Sequence, residues 1–259
     1  MEVDLSSLWA VAEERAKVAL AEGAIEPFAS RAVTVDDGGV PVVVRVLSGA
    51  RSKPATGPDA LAQQDPRLEL GDLEPGYRVI LNRFPVVQPH LLLVSREFVP
   101  QEAPLEPGDF AAIGACLDAV DGIAFYNAGR EAGASQSRRH LQLVAAPLTD
   151  GASRTPIDDA LRRNALPFPH AWAPRHQSAA SLHAAYRALL ARVGAEHQQP
   201  HNLIVTRDWM LVVPRTRAGF EDVSVNALGF AGAMLVGSDA QLSLVRAIGP
   251  MRVLRHVCS

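Results

Sequence analysis

The densest group of side chains able to do chemistry lies in residues 125–144, FYNAGREAGASQSRRHLQLV. Alternation of polar and apolar residues predicts a strand in its second half, with Arg138, His140 and Gln142 on one face and Leu141 and Leu143 on the other. A neutral imidazole nitrogen of His140 aimed at phosphorus would act as a nucleophile. Ahead of it, Gly133, Ala134, Ser135 and Gln136 form a loop whose backbone N–H groups and polar side chains can hold phosphate oxygens. Arg138 would balance charge building up on those oxygens and, as a neighbouring cation, favour the unprotonated imidazole. Gln142 can hydrogen-bond the bridging or a non-bridging oxygen in transit. The same spacing also fits a structural histidine held by hydrogen bonds, and alternation alone leaves both readings open.

A polyanionic substrate would need further cations, and Lys53 and Arg83 are the candidates; each equally fits a solvated surface charge. Asn82 and Asn127 close predicted strands and could reach ribose hydroxyls or phosphate, although asparagine is also common turn chemistry. Trp209, Met210 and Phe230 read as core. The histidines other than His140 lack zinc spacing, and Cys116 and Cys258 are too few and too separated for a disulfide framework or a cysteine-built metal site. No metal site is therefore expected.

The elements that must position these groups follow from periodicity and turn signals. A helix is expected over 8–22, a hairpin over 32–46 around Asp36-Asp37-Gly38-Gly39, and an aperiodic loop over 52–66 that carries Lys53. Strands are expected over 77–82, 90–95, 122–127, 202–206 and 210–214, with helices over 109–120 and 182–193. The apolar, glycine-containing segment 226–236 fits a helix or a strand. Strands grouped as hairpins, instead of alternating strictly with helices, point to an α+β fold.

The chain has 259 residues, 48% of them apolar, and a net charge of −3, which places it among ordinary globular proteins and argues against nucleic acid as its partner. No run approaches the roughly 18 apolar residues of a membrane span. The acidic start Met1-Glu2-Val3-Asp4 does not read as a signal peptide, so a cytoplasmic location without membrane association is expected.

The segment from Gly133 to Gln142 resembles the signature of the diadenosine tetraphosphate phosphorylases (ATP adenylyltransferases), the transferase branch of the histidine-triad superfamily. Lys53-Pro54 and the stretches 82–87, 202–215 and 226–232 resemble the same family in the same order. The resemblance implies a histidine-triad-like fold: a mostly antiparallel sheet with helices packed on it. It also implies one nucleotidyltransferase domain over 1–259, with half-modules 1–150 and 151–259. It further implies that His140 attacks the α-phosphate of the dinucleotide and that inorganic phosphate releases the bound nucleotide, giving ATP and ADP. Catalytic roles then fall to His140, Gln142 and Arg138. Substrate contacts fall to Lys53, Asn82, Arg83, Asn127, Gly133, Ala134, Ser135 and Gln136. No organic cofactor is implied, and Mg²⁺ would come with the nucleotide.

The family usually carries a histidine at the position of Arg138 and a proline at that of Ser137. An arginine keeps a cation there but cannot exchange a proton near neutral pH. Two alternatives therefore stand beside phosphorolysis: a dinucleoside polyphosphate hydrolase of the same superfamily, and a nucleotide-binding protein with impaired turnover. Gln142, where the hydrolases have a third histidine, favours transfer.

Overall fold

The computed structural model describes residues 2–48, 59–149, 153–196 and 199–258. The chain opens with helix α1 (Leu8–Ala21) and a hairpin of β1 (Ser30–Asp37) and β2 (Val40–Leu47). Three strands follow, β3 (Glu69–Leu73), β4 (Tyr77–Leu81) and β5 (His90–Ser95), then helix α2 (Pro107–Ala119). Next come β6 (Gly122–Ala128), β7 (His140–Ala145), the short α3 (Asp158–Arg162) and β8 (Ala171–Pro174). Helix α4 (Ala179–Arg192) leads into β9 (His201–Val205) and β10 (Trp209–Pro214), and a minimal hairpin pairs β11 (Gly219–Phe220) with β12 (Val223–Ser224). The chain ends with α5 (Ala227–Phe230), β13 (Ala233–Val236), α6 (Asp239–Ile248) and α7 (Pro250–His256).

Eight strands form one antiparallel sheet in the order β3-β4-β5-β7-β6-β9-β10-β8. Its continuity across the 150/151 position comes from β6 pairing with β9. Because side chains alternate, the odd-numbered residues of β4, β5, β7 and β9 and the even-numbered residues of β6, among them Val79, Leu91, Leu141, Leu203 and Tyr126, form one core with α1, α2 and α4. Leu141 and Leu143 are fully buried there, each contributing roughly 1.5–3 kcal/mol of burial that anchors β7. Arg139 joins that side and clamps the start of α2 through a buried pair with Asp109 at 3.0 Å.

The opposite face is covered only in part. A three-stranded sheet, β1-β2-β13, with α5, α6 and α7 packs over Phe125, Val144, Ile204 and Leu211. What it leaves open is the stretch where β4 to β7 and β9 end, and there parity places Asn82, His90, Asn127, His140, Gln142 and Asn202 on one face.

The sequence expectations for the strands and longer helices hold within a residue or two at their ends, apart from α4, which starts three residues before its expected 182. The segment 226–236 proves to be both alternatives in succession, α5 then β13. Strands β3 and β8 and helices α3, α6 and α7 were not anticipated. Trp209, Met210 and Phe230 are core, with the Trp209 indole donating to Asp158 at 3.0 Å. Among the described residues no helix is long and apolar enough to cross a membrane.

On the helix-covered face His201 is 5% exposed; its Nδ1–H donates to the Gln199 carbonyl and its Nε2 accepts from the Tyr186 hydroxyl, both at 2.8 Å. Burial pushes the imidazole down from 6.5 to about 4. The unfolded chain protonates this histidine near its ordinary value, so it binds the extra proton first as pH drops. The contribution of His201 is thus complete above about pH 6.5 and is lost toward pH 4, amounting to roughly 3 kcal/mol at about 1.4 kcal/mol per unit. Equilibrium unfolding between about pH 7 and pH 4.5 should show a steeper loss for the native chain than for His201→Gln. Equal slopes would count against a neutral buried His201.

Candidate functional site

His140 opens β7 and lines a cleft of about 900 Å³ together with Asn82, Arg83, Asn127, Gly133, Ser135, Gln136, Gln142 and the segment 59–65. That volume lies within the roughly 300–1,000 Å³ of small-molecule sites. The His140 Nδ1–H donates to the Arg138 carbonyl at 2.9 Å, which assigns the proton to Nδ1 and the lone pair to Nε2. A two-residue spacing along extended chain makes this contact available, so the tautomer is a local consequence of the sequence.

The backbone of His140 is held by a residue that sequence reasoning missed. Gln101 is 1% exposed and its amide sits between β6 and β7 where their ladder ends. It accepts from the His140 N–H at 2.8 Å and donates to the carbonyls of Asn127 (3.0 Å) and His140 (3.3 Å), standing in for a missing peptide unit. Its own carbonyl accepts from the Tyr126 hydroxyl. A glutamine 39 residues away in a turn carries no sequence signal of this role.

Gln142 is oriented by a relay. The Phe84 N–H donates to Asn82 Oδ1 at 3.0 Å, so the Asn82 amide nitrogen faces His90 Nδ1, also at 3.0 Å. His90 then carries its proton on Nε2 and donates to Gln142 Oε1 at 3.0 Å. The Gln142 NH₂ is thereby turned to the cleft as a donor. Asn82 lines the cleft and serves this relay, with both ends of its amide engaged. On the other side of His140, Asn127 Oδ1 accepts from Asn202 Nδ2 at 2.8 Å and from the Ala227 N–H at 2.9 Å, which turns the Asn127 NH₂ to the cleft as well.

Arg138 departs from expectation. Its Nε and Nη2 grip both carboxylate oxygens of Asp59 at 2.8 and 2.6 Å, and Nη1 donates to the Ser95 and Arg96 carbonyls. The guanidinium is buried against Asp59, and Arg138 is not among the described residues that line the cleft. The physical reason is that β7 starts only at His140, and Arg138 bridges to Pro100, so its side chain leaves the sheet face at the edge. Its hydrogen bonds hold the Asp59 carboxyl below the usual carboxylate range. Arg138 thus pins residue 59 at the cleft edge and presents the carbonyl that sets the His140 tautomer. Arg138→His is expected to lower turnover, because imidazole cannot make the two-pronged contact; a rise in measured rate would contradict this placement.

The loop before His140 is also tighter than anticipated. The N–H groups of Gly133 and Ala134 donate to the Arg130 and Gly129 carbonyls at 2.9 and 3.1 Å, so these two close the loop on itself and do not face a phosphate. Ala134 lines a separate shallow hollow beside Arg130. Gly133 is required by its φ of +92° and by approach: a Cβ there would lie 2.7 Å from the Val225 carbonyl oxygen. Ser135 and Gln136 remain on the cleft rim. Arg83 reaches the cleft but pairs with Glu26 at 2.8 Å. Lys53 lies outside the described residues. Among the described residues no group of three or more histidine, cysteine or acidic side chains could hold a metal ion.

A family model described as the Ap4A phosphorylase N-terminal domain, Ap4A being diadenosine tetraphosphate, matches residues 1–163. The chain belongs to the Ap4A phosphorylase family. A second family model, the ATP adenylyltransferase C-terminal domain, matches residues 164–259. Protein APA1 of Saccharomyces cerevisiae is 27% identical over 209 residues, 65% of this chain and 64% of that protein. Diadenosine 5',5'''-P1,P4-tetraphosphate phosphorylase 2 of the same yeast is 28% identical over 201 residues, 62% of either chain. The match therefore spans less than two thirds of the length of these relatives. The crystal structure of yeast Ap4A phosphorylase Apa2 in complex with AMP superposes with a TM-score of 0.82 at 24% identity, covering 97% of each chain. The Ap4A complex of the same enzyme gives 0.78 at 22% identity, covering 96% of each. These likenesses show the α+β fold of the family, the large antiparallel sheet with helices packed on it.

Proposed function

We propose that this protein is a nucleotidyltransferase that cleaves diadenosine tetraphosphate with inorganic phosphate, giving ATP and ADP. The observation that carries the reading is the His140 tautomer: Nδ1–H on the Arg138 carbonyl at 2.9 Å, with Nε2 as the lone-pair nitrogen of a residue lining the cleft. In this reading Nε2 bonds to the α-phosphorus of one adenylyl group while the bond to the bridging oxygen breaks, and ATP leaves with that electron pair. An oxygen of inorganic phosphate then attacks the same phosphorus from the opposite side, the P–N bond breaks back to His140, and ADP leaves. Each half is an in-line displacement that asks the protein for position and charge balance. The amide donors of Gln142 and Asn127 flank His140 and would bind the non-bridging oxygens as charge builds.

Family membership supports the substrate class, and the yeast phosphorylase 2 and the Apa2 crystal structures named above concern such nucleotides. The transfer runs between a side chain and phosphates, so it needs no organic cofactor. Mg²⁺ would enter coordinated by the polyphosphate. Incubation with diadenosine tetraphosphate and phosphate is expected to yield ATP and ADP in equal amounts. The hydrolase alternative yields AMP in phosphate-free buffer, and Gln142 speaks against it because an amide cannot take the proton of an attacking water. Absence of turnover with retained binding would overturn the enzymatic reading.

A further inference from the structure

Among its described residues the cleft offers little free positive charge for the substrate proposed. Among its described lining residues Arg83 is the one cation and is paired with Glu26, while the acids Asp59 and Asp65 are paired with Arg138 and Arg67. A polyphosphate needs compensation from elsewhere. It lies one layer below. Arg215, just beyond β10, is 3% exposed, and its described partners are neutral: Asn202 Oδ1 at 2.6 Å and the carbonyls of Ala132, Arg217, Val225 and Val257. No carboxylate among the described residues pairs with it. A buried guanidinium without a counter-charge is costly, because dipoles of carbonyls orient toward the charge but do not cancel it.

The position of that charge is informative. The Val225 carbonyl it binds is the one against which Gly133 is packed, so Arg215 lies directly under the Gly133 wall of the cleft. Its contact to Asn202 fixes that amide with oxygen toward the guanidinium and nitrogen toward Asn127 Oδ1, and this in turn aims the Asn127 NH₂ beside His140. We propose that Arg215 is a positioning residue for nucleotide phosphates, acting through Asn202 on Asn127 and through its field on the cleft, without touching the ligand. The guanidinium stays charged at neutral pH although burial lowers its pKa to about 10, and its neighbour Cys258 is a neutral thiol, pushed up to about 12.

This inference rests on the nucleotide reading of the cleft, and the test separates the two. Affinities of AMP, ADP and ATP are measured by calorimetry for the native protein, Arg215→Met and Asn202→Asp. If Arg215 supplies the field, Arg215→Met loses on the order of tenfold or more for ATP but only a few-fold for AMP, since the loss scales with ligand charge. A merely structural role would weaken all three by one factor, and that result would overturn the proposal. Asn202→Asp guards against simple misfolding: it gives Arg215 an ion-pair partner of the same shape, so the fold is kept while the charge is cancelled and Asn127 is reversed. Its ATP affinity should fall more than its AMP affinity; native ATP affinity in Asn202→Asp would also overturn the proposal. A native protein that bound none of the three nucleotides would sink the nucleotide reading and this inference with it.

Discussion

Replacing His140 with alanine should abolish phosphorolysis, with a loss on the order of 10⁴–10⁶ in turnover, while AMP affinity stays within a few-fold of native. The size follows from what is removed. His140 lines the cleft with Nε2 as its lone-pair nitrogen, and neither neighbouring amide can form a bond to phosphorus. The fold should tolerate the change, because β7 is anchored from the other face by Leu141 and Leu143 and the backbone at residue 140 stays tied to Gln101. Product formation and calorimetric binding, measured on the same preparation, check both halves of the expectation. Turnover within tenfold of native would mean that phosphate attacks the dinucleotide directly.

The second large effect is expected at Gln142. In Gln142→Glu the carboxylate still accepts from His90 Nε2, so the relay from Asn82 is preserved and the packing of a 9% exposed side chain is unchanged. What turns to the cleft is now an anion in place of an NH₂ donor. Loss of one such donor is worth about 10²–10³ in rate, and repulsion of the phosphoryl oxygens adds to it, so about 10³ or more is expected. Gln142→Ala should lose less, about 10². That order, the isosteric change being worse than the truncation, is what a polarity requirement demands; the reverse order in steady-state kinetics would show that Gln142 matters for packing alone.

Much of this was legible from period two. Parity separated His140 and Gln142 from Leu141 and Leu143, and the structure keeps that division to the atom, with the leucines in the helix-covered core. The resemblance carried by residues 133–142 and the four other stretches extends, as expected, over the whole chain, since the two family matches adjoin at 163 and 164. What could not be read is everything set by strand order. His90 meets Gln142 because β5 lies beside β7, and Asn202 meets Asn127 because β9 lies beside β6; no spacing within the sequence announces either neighbour. Gln101 escaped for the same reason, as its role exists only where two strands separate.

Arg138 shows the limit of parity itself. It has the correct alternation for the His140 face, yet it precedes β7 and pairs through an isolated bridge to Pro100, where no continuous ladder holds a side chain to its face. Asp59 then captures it. Over 226–236 helix and strand both stayed open because α5 and β13 crowd helical and extended segments into a few residues, so no single period dominates. Arg138 thus meets His140 through its backbone carbonyl while its side chain holds Asp59.

The proposed covalent nucleotidylation of His140 is addressed directly by one measurement. The protein is incubated with diadenosine tetraphosphate in phosphate-free buffer, quenched under alkaline conditions, digested and analysed by mass spectrometry. The expected result is one adenylyl group on the peptide containing His140, discharged to ADP when phosphate is added before the quench. Turnover with phosphate but no adduct at His140, or an adduct on another residue, would contradict it.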